Sequence, residues 1–190
     1  LVLCSMAAMS SCSSFVALER DDYLSSDSAF IGYVKSQNIP YTHNNHVDIL
    51  NGAHMKFDSL LADIAKPKHH IHLEYFNFRN DSTNKVVIGA LAEKAKEGVE
   101  VRAMFDAFGN MSNDRPLKKK DLKAIREHGI EIVKFDPITF PWINHAYSRD
   151  HRKIVVIDGK VGYIGGINVA DYYLQGIEGI GEWRDMHSKV

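Results

Sequence analysis

The fold of this chain is decided by the stretch Ser148-Arg-Asp-His-Arg-Lys-Ile-Val-Val-Ile-Asp-Gly-Lys-Val-Gly-Tyr-Ile-Gly-Gly-Ile-Asn-Val-Ala-Asp171. Within it, the apolar run Ile154 to Ile157 is typical of a strand that is buried on both faces. Asp158-Gly159 follows as a turn of the kind that joins two strands of a hairpin, and Val161 to Ile164 then returns. The stretch therefore predicts a buried β-hairpin.

The same stretch carries side chains suited to phosphoester chemistry. His151 and Lys153 stand two residues apart at the start of the run, so a strand would point both at one small anionic group. Gly165 and Gly166 let backbone N–H groups approach a ligand closely, and Asn168 is suited to capping the helix that follows. An imidazole could attack phosphorus while Lys153, Asn168 and the backbone N–H groups hold the phosphoryl oxygens. This chemistry needs no metal and no cofactor.

The spacing of these residues resembles the His-Lys-Asp signature of the phospholipase D superfamily, which here reads His151-x-Lys153-(x)4-Asp158-(x)6-Gly165-Gly166-x-Asn168. Every defining position is matched, and the pattern is long enough to be specific. The alternative is that His151 is an ordinary strand-end histidine beside ordinary turn glycines.

Composition and charge indicate a globular protein without an extended basic surface. The chain has 190 residues, of which 45% are hydrophobic and 25% charged, enough for one domain with a core. Its formal net charge of −1 does not favour nucleic acid as a partner, although a local anion pocket remains compatible with it. Both cysteines, Cys4 and Cys12, precede the globular part, which therefore has no disulfide framework or thiolate metal site.

The composition divides the chain into three parts. Residues 1–18 are small, apolar and uncharged, like the end of a signal peptide whose basic start is missing, and Met9-Ser10-Ser11-Cys12 is similar to the box of bacterial lipoproteins. Residues 19–40 are polar and predict a linker with at most one short helix. Residues 41–190 are predicted to form the catalytic part.

Helices and strands alternate through the catalytic part. Helices are predicted at Ala53–Ala65, Lys85–Glu97 and Leu117–His128, and strands at Lys68–Phe78, Val99–Phe105 and Ile130–Phe135. Two of the helices end at glycines, Gly98 and Gly129, directly before the next strand. This order predicts an α/β fold, specifically a layered α-β-α sandwich of the phospholipase D type, with a mixed sheet and helices on both faces.

Further segments resemble bacterial cardiolipin synthases. Trp183-Arg184-Asp185-Met186-His187 is similar to the segment that follows the first of two signatures in that family, and Glu74-Tyr75 is similar to a step on its first core strand. The resemblance implies that Asp185 orients the imidazole of His151. It places Asp158 in the signature set, where fixing the turn is the favoured role over contact with substrate. Glu74 is a possible pocket residue.

Two other groups of residues are candidates of a different kind. Asp106 ends its predicted strand where α/β sheets place residues that face ligands, so it is a possible pocket residue. His70, His72 and Glu74 would share one face of a strand as a possible metal trio, although an exposed strand start is the favoured interpretation.

The resemblance implies phosphatidyl transfer, in which His151 attacks phosphatidylglycerol and a second phosphatidylglycerol resolves the phosphohistidine to form cardiolipin. The catalytic set is then His151, Lys153, Asn168, Asp158 and Asp185, with Gly165 and Gly166 binding phosphate. The implied setting is the membrane surface of the bacterial cell envelope. The family uses two His-x-Lys motifs and this sequence has one, so the chain resembles an amino-terminal half whose partner half lies elsewhere.

Three alternatives remain open from the sequence. The chain could belong to a hydrolase of phospholipids that uses water in place of the second lipid. Two copies could pair into a dimeric phosphodiesterase, as in the single-motif bacterial nucleases of the superfamily. The chain could also be a catalytically silent module that binds phosphate or a lipid headgroup.

Overall fold

A computed structural model describes residues 27–42, 45–139 and 147–190 of the chain. The predicted leader, residues 1–18, lies outside the described residues. The chain divides into two compact units, Leu1–Asn45 and His46–Val190. In the first unit, helix α1 spans Asp27–Ser36, within the predicted linker. The second unit starts five residues after the predicted domain start at residue 41.

The second unit is built on one mixed sheet of seven strands. The strands are β1 (Asp48–Asn51), β2 (His70–Tyr75), β3 (Glu100–Asp106), β4 (Glu131–Phe135), β5 (Lys153–Ile157), β6 (Val161–Gly165) and β7 (Met186–Lys189). Their spatial order is β1-β7-β6-β5-β2-β3-β4. The four pairings from β1 to β2 are antiparallel, and the pairings of β3 with β2 and β4 are parallel.

The helices of this unit connect the strands as the alternation predicts. They are α2 (Gly52–Ile64), α3 (Ser82–Lys96), α4 (Ala107–Ser112), α5 (Lys119–Glu127) and α6 (Tyr172–Gln175). The side chain of Asp81 caps α3 by accepting from the N–H of Asn84. Gly98 and Gly129 follow α3 and α5 with φ of 90° and 82°, a backbone conformation that glycine adopts without a steric penalty.

One face of the sheet carries the buried core. The inward side chains of β2 are Ile71, Leu73 and Tyr75, and α2 packs on the same face through Phe57, Leu60 and Ile64. These side chains belong to the buried hydrophobic cluster whose apolar area stabilises the fold. Among the described residues, no helix is long and apolar enough to cross a membrane.

The opposite face of the sheet is only partly covered in the described part of the chain. Val133 is 44% exposed and Ile164 is 54% exposed, and Ile154 and Val156 of β5 are half-buried. The predicted α/β class with a mixed sheet and helices is confirmed, but the described helices pack on one face. For the same reason β5 alternates between buried and half-buried positions instead of being buried on both faces.

Candidate active site

The site is built on a row of residues that crosses the sheet. Lys153 is paired with Tyr75 of β2, and continuing the β5–β6 register by one residue places it opposite Gly165. Gly165 is in turn paired with His187 of β7. Lys153, Tyr75 and His187 are each at most 3% exposed, so the row lies under the helices. The lysine of the signature thus lies in one row with residues from three other strands.

His151 lies just before β5, with an exposed side chain. Its ring packs edge-on against Phe76, at 4.6 Å between ring centroids, and the Nζ of Lys153 lies 5.4 Å from the centroid of the same Phe76 ring. Lys153 Nζ also donates to the backbone carbonyl of His151 at 2.6 Å. The imidazole and the ammonium are therefore held near one aromatic ring, as the two-residue spacing predicts.

The electrostatic surroundings favour a neutral imidazole. Burial and the nearby charge of Lys153 lower the pKa of His151 below its ordinary value, and the carboxylates of Asp106 and Asp150 oppose this shift. Burial also lowers the pKa of Lys153, against the carboxylates of Asp185 and Asp150. A neutral imidazole has a free lone pair, which is the form that attacks phosphorus.

Asp106 holds the segment that carries His151. It is fully buried, and its Oδ1 accepts from the N–H groups of Phe108 and Gly109, which caps α4. Its Oδ2 accepts from the N–H of Asp150 at 2.9 Å, and its Oδ1 lies 3.4 Å from the guanidinium of Arg149. Asp106, which was predicted to line the pocket, is therefore a buried residue that holds the backbone beside His151 through hydrogen bonds.

Sequence reasoning missed Arg149 and Asp150, although both directly precede His151. The guanidinium of Arg149 joins the ends of two strands, because it also donates to Asp136 after β4 at 2.7 Å. Asp150 is 4% exposed, and its Oδ1 accepts from the N–H of Arg152. The sequence offered one signal for them: two charged residues stand immediately before the candidate nucleophile, at the start of a strand.

Asn168 lies close to the site, with both ends of its amide already hydrogen-bonded within the protein. Its Oδ1 accepts from the N–H of Asn77 at 3.1 Å, and its Nδ2 donates to the hydroxyl of Tyr173 at 3.0 Å. The amide therefore ties the end of β2 to α6. One N–H of the side chain remains able to donate, so a contact with a phosphoryl oxygen stays a prediction.

The two signature glycines are required by the close approach of β7. A Cβ on Gly165 would lie 2.6 Å from Cγ of His187, and one on Gly166 would lie 2.2 Å from Oδ1 of Asp185. The N–H of Gly166 donates to the carbonyl of Met186 at 3.1 Å. The N–H of Gly166 is thus used within the sheet, and binding of phosphate by Gly165 and Gly166 stays a prediction.

Asp185 lies beside Lys153 and is not hydrogen-bonded to His151 in the described structure. Its Oδ1 accepts from the N–H of Met186 at 2.7 Å, and its charge raises the pKa of Lys153. The carboxylates that act on His151 are Asp106 and Asp150. The structure thus brings Asp185 to the lysine of the signature, and orientation of the imidazole by Asp185 stays a prediction.

Asp158 is not part of this arrangement, although the signature set includes it. It follows the last residue of β5, roughly 16 Å from Lys153 at the rise of an extended strand. Its carboxylate accepts from the backbone N–H groups of Lys68, His69 and His70 at 2.9 Å each, which lowers its pKa to about 2. Asp158 therefore ties the hairpin turn to the start of β2, as the turn-fixing interpretation expects.

Two buried nitrogen bases, His187 of the row and Lys56 of α2, were given no role by sequence reasoning. His187 is 1% exposed, and burial, together with the charge of Lys56, lowers its pKa to about 3. Lys56 of α2 is fully buried, its Nζ lies 3.7 Å from the centroid of the Phe57 ring, and burial lowers its pKa well below the ordinary value. Within the described residues this Nζ has no hydrogen-bond partner.

Glu74 lies on the other face of the sheet from Lys153. The row position of Lys153 belongs to Tyr75, so the adjacent Glu74 points away from the helices. His72, on the same face, is paired with Glu100 at 2.8 Å. Among the described residues, no group of three or more His, Cys, Asp or Glu is placed so as to hold a metal ion, so the possible trio around His72 is not assembled.

An exposed imidazole beside a buried lysine at the ends of the strands of a mixed sheet is the arrangement expected of a site of the phospholipase D class. The comparisons agree with this class. Residues 60–177 match the family model described as "Cardiolipin synthase, PLD-like domain". The chain belongs to this family, which confirms the resemblance to bacterial cardiolipin synthases.

Curated relatives extend the match beyond the signature. The chain is 43% identical to the major cardiolipin synthase ClsA of Bacillus subtilis over 151 residues. The aligned region covers 79% of this chain and 30% of the relative. The chain is 40% identical over 158 residues to a cardiolipin synthase of Oceanobacillus iheyensis, which is 83% of this chain and 32% of the relative. The chain therefore spans about a third of the length of the curated relatives it matches.

Solved structures show that the fold is shared at low sequence identity. NucT from Helicobacter pylori superposes with a TM-score of 0.57 at 14% identity, covering 76% of this chain and 84% of NucT. Phosphatidylserine synthase from Haemophilus influenzae superposes with a TM-score of 0.59 at 14% identity, covering 76% of this chain and 33% of the synthase.

Proposed function

We propose that this chain carries one of two catalytic halves of a phosphatidyltransferase that forms cardiolipin from two molecules of phosphatidylglycerol. The observation that carries the proposal is the pair of His151 and Lys153 around Phe76, with the pKa of the imidazole lowered. The cardiolipin synthases among the relatives support the choice of lipid. Asp106 and Asp150 serve as the support of the nucleophile, because they fix the segment that carries it.

In the first step, a nitrogen of His151 attacks the phosphorus of phosphatidylglycerol. A nitrogen–phosphorus bond forms, the bond from phosphorus to the glycerol oxygen breaks, and glycerol leaves with a proton from a general acid. Lys153 Nζ uses one of its three donors on the carbonyl of His151, so two remain to hold the charge of the phosphoryl oxygens. The free N–H of Asn168 is the further donor.

In the second step, a hydroxyl of another phosphatidylglycerol attacks the phosphohistidine. The oxygen–phosphorus bond forms, the nitrogen–phosphorus bond breaks, and the hydroxyl proton passes to the conjugate base of the same acid. Cardiolipin leaves and the imidazole of His151 is restored. The acid and base belong to a second His-Lys-Asp motif, in a further domain or in a second copy. Because its substrates are membrane lipids, the protein would act at the membrane surface of the bacterial cell envelope.

The test uses the complete gene product in phosphatidylglycerol vesicles. His151→Ala is expected to abolish cardiolipin formation, and acid-labile phosphate from labelled lipid should be trapped on the wild type and not on the variant. His54→Ala is the matched control, because His54 is exposed on α2 and, in the described part of the chain, its ring nitrogen is hydrogen-bonded to the backbone carbonyl of Leu174. Retained turnover in His151→Ala would refute the proposal, and loss of activity on chelation would refute the metal-free mechanism.

A second candidate is a phosphodiesterase that uses water and pairs two copies of one motif. The one His-Lys-Asp motif in this sequence is compatible with this candidate, and NucT shares the fold. Release of phosphatidic acid without cardiolipin would point to hydrolysis of lipids, and cleavage of a nucleic acid would point to a nuclease, against the net charge of −1. If the complete protein bound a lipid headgroup without turnover, the chain would be a catalytically silent binding module.

A further inference from the structure

The side chain of His187 occupies the space that Gly165 leaves open in the row beside Lys153. His187 is paired with Gly165 and is 1% exposed. A Cβ added to Gly165 would lie 2.6 Å from both Cα and Cγ of His187, so the side chain of His187 leans over Gly165. Lys153 flanks Gly165 on its other side, in β5. The ring of His187 is therefore placed on the buried face of the sheet, between β7 and the strand of the signature lysine.

One ring nitrogen of His187 is a hydrogen-bond acceptor. The backbone N–H of Ile167, a fully buried residue, donates to Nδ1 in a long hydrogen bond of 3.4 Å. A ring nitrogen that accepts carries no proton, so the imidazole is neutral and its proton is on Nε2. Burial and the charges of Lys56 and Lys153 favour the same neutral form, because they lower the pKa of His187.

Ile167 belongs to the short segment that carries Asn168. On one side of this segment, the N–H groups of Gly166 and Ile167 donate to the backbone of β7 and to Nδ1 of His187. On the other side, Oδ1 of Asn168 accepts from the N–H of Asn77. The residue directly before Asn168 is thus held by His187, and Asn168 itself is held by the end of β2.

Packing alone does not account for a histidine at this position. Nε2 of His187 is buried and has no hydrogen-bond partner among the described residues, which costs free energy of folding. A leucine would fill a similar space without burying an unpaired N–H. What the histidine adds is the acceptor at Nδ1.

We propose that His187 is a positioning residue: as a neutral imidazole protonated on Nε2, it accepts the N–H of Ile167 and holds the segment that presents Asn168 to the phosphoryl group. The consequence for catalysis rests on the proposed function, whereas the hydrogen bond and the tautomer do not. The resemblance of the Trp-Arg-Asp-x-His segment gives a role to Asp185 and none to His187.

The experiment compares His187→Asn and His187→Leu with the wild type in the complete gene product. Asparagine and leucine branch alike at Cγ, but Oδ1 of asparagine lies near the position of Nδ1 and accepts, whereas leucine has no acceptor. Ser188→Ala is the control, because Ser188 is the next residue of β7 and points to its other face. The readouts are nitrogen-15 NMR of the His187 ring, hydrogen exchange of the Ile167 amide, and kcat and KM for phosphatidylglycerol.

We expect Nδ1 of wild-type His187 to carry no proton and Nε2 to carry one between pH 5 and pH 9. The Ile167 amide should exchange roughly fivefold faster in His187→Leu, about the value of one neutral hydrogen bond, and stay near the wild-type rate in His187→Asn and Ser188→Ala. The kcat of His187→Leu should fall roughly 10- to 100-fold with little change in KM, because a misplaced donor weakens binding of the transition state. His187→Asn should recover most of that loss.

A proton on Nδ1, wild-type exchange of the Ile167 amide in His187→Leu, or equal kcat in His187→Leu and His187→Asn would overturn the proposal. If His187→Leu does not fold, the tautomer of the wild type and the exchange of His187→Asn still decide the question.

The tautomer and the exchange rates require no substrate, so they separate the two proposals. An active His151→Ala enzyme would end the proposed function and leave the hydrogen bond of His187 untouched. Conversely, a proton on Nδ1 would end the positioning role while phosphatidyl transfer through His151 could still be demonstrated.

Discussion

Replacement of Lys56 by methionine should make the protein more stable. Lys56 is fully buried in α2 against the rings of Phe57 and Tyr75, and its Nζ has no hydrogen-bond partner in the described part of the chain. Methionine keeps the length and apolar stem of lysine without the amine, so it fits the same space with little strain. The substitution removes a buried polar group and creates no cavity.

The size of the gain follows from the costs that lysine carries. At pH 7, removing the proton from an amine of ordinary pKa 10.5 costs at most about 5 kcal/mol, and an unpaired buried amine costs about 1–3 kcal/mol. Any remaining ammonium recovers about 1 kcal/mol from each ring. We therefore expect Lys56→Met to raise the free energy of unfolding by about 2–3 kcal/mol, or the Tm by about 4–12 °C.

The pH dependence of the difference identifies its origin. The unfolded chain keeps the lysine proton up to pH 10.5, and the folded chain loses it at much lower pH, so wild-type stability rises with pH. The advantage of Lys56→Met should accordingly shrink by up to about 1.4 kcal/mol for each pH unit above the folded pKa.

Urea unfolding of both proteins at pH 6, 7.5 and 9 measures this difference. Lys94→Met is the matched control, because Lys94 is also buried but its Nζ donates to the carbonyl of Ala65 and to Glu97. The control should lose about 1 kcal/mol. A Lys56→Met protein that is less stable than the wild type, or whose advantage does not change with pH, would refute the reasoning.

Three further predictions concern the site and the hairpin. Asp158→Asn should lower the free energy of unfolding above pH 4, because three backbone N–H groups lower the pKa of Asp158 in the folded chain. The difference in stability between variant and wild type should become smaller as the pH falls towards 2. Equal urea midpoints of the two proteins at pH 7 would contradict this prediction. Gly166→Ala should displace Asp185 and lower cardiolipin formation by roughly 10- to 100-fold, whereas Gly162→Ala, which meets no atom within 4 Å, should not. Burial and the charge of Lys153 lower the pKa of His151 below 6.5, so the acid limb of the pH profile of kcat/KM in the complete enzyme should lie below pH 6.5 if protonation of His151 causes it. An NMR titration that gives the His151 ring a pKa at or above 6.5 would contradict this prediction.

Local sequence determined the elements of this fold. The β-branched run of β5, the turn at Asp158-Gly159 and the glycines after α3 and α5 act within a few residues, through side-chain alternation and backbone sterics. The spacing of His151 and Lys153 likewise predicts that both serve one site, because two residues of an extended chain share a face. These features depend on chain geometry alone and were accessible without tertiary structure.

Contacts between distant residues were decided by the tertiary structure. The signature glycines leave room for His187 of β7 and for Asp185, which directly precedes β7. The carboxylate of Asp158 binds backbone N–H groups some ninety residues earlier in the chain, which is a contact between distant segments. The burial of Lys56 could not be predicted from the sequence either, because a lysine on a helix is expected to be exposed to solvent unless packing buries it. The sequence by itself determined the strands, the turn and the His-Lys pair; strand order and packing decided which groups surround that pair, because burial and pKa depend on neighbours that only the folded sheet brings together.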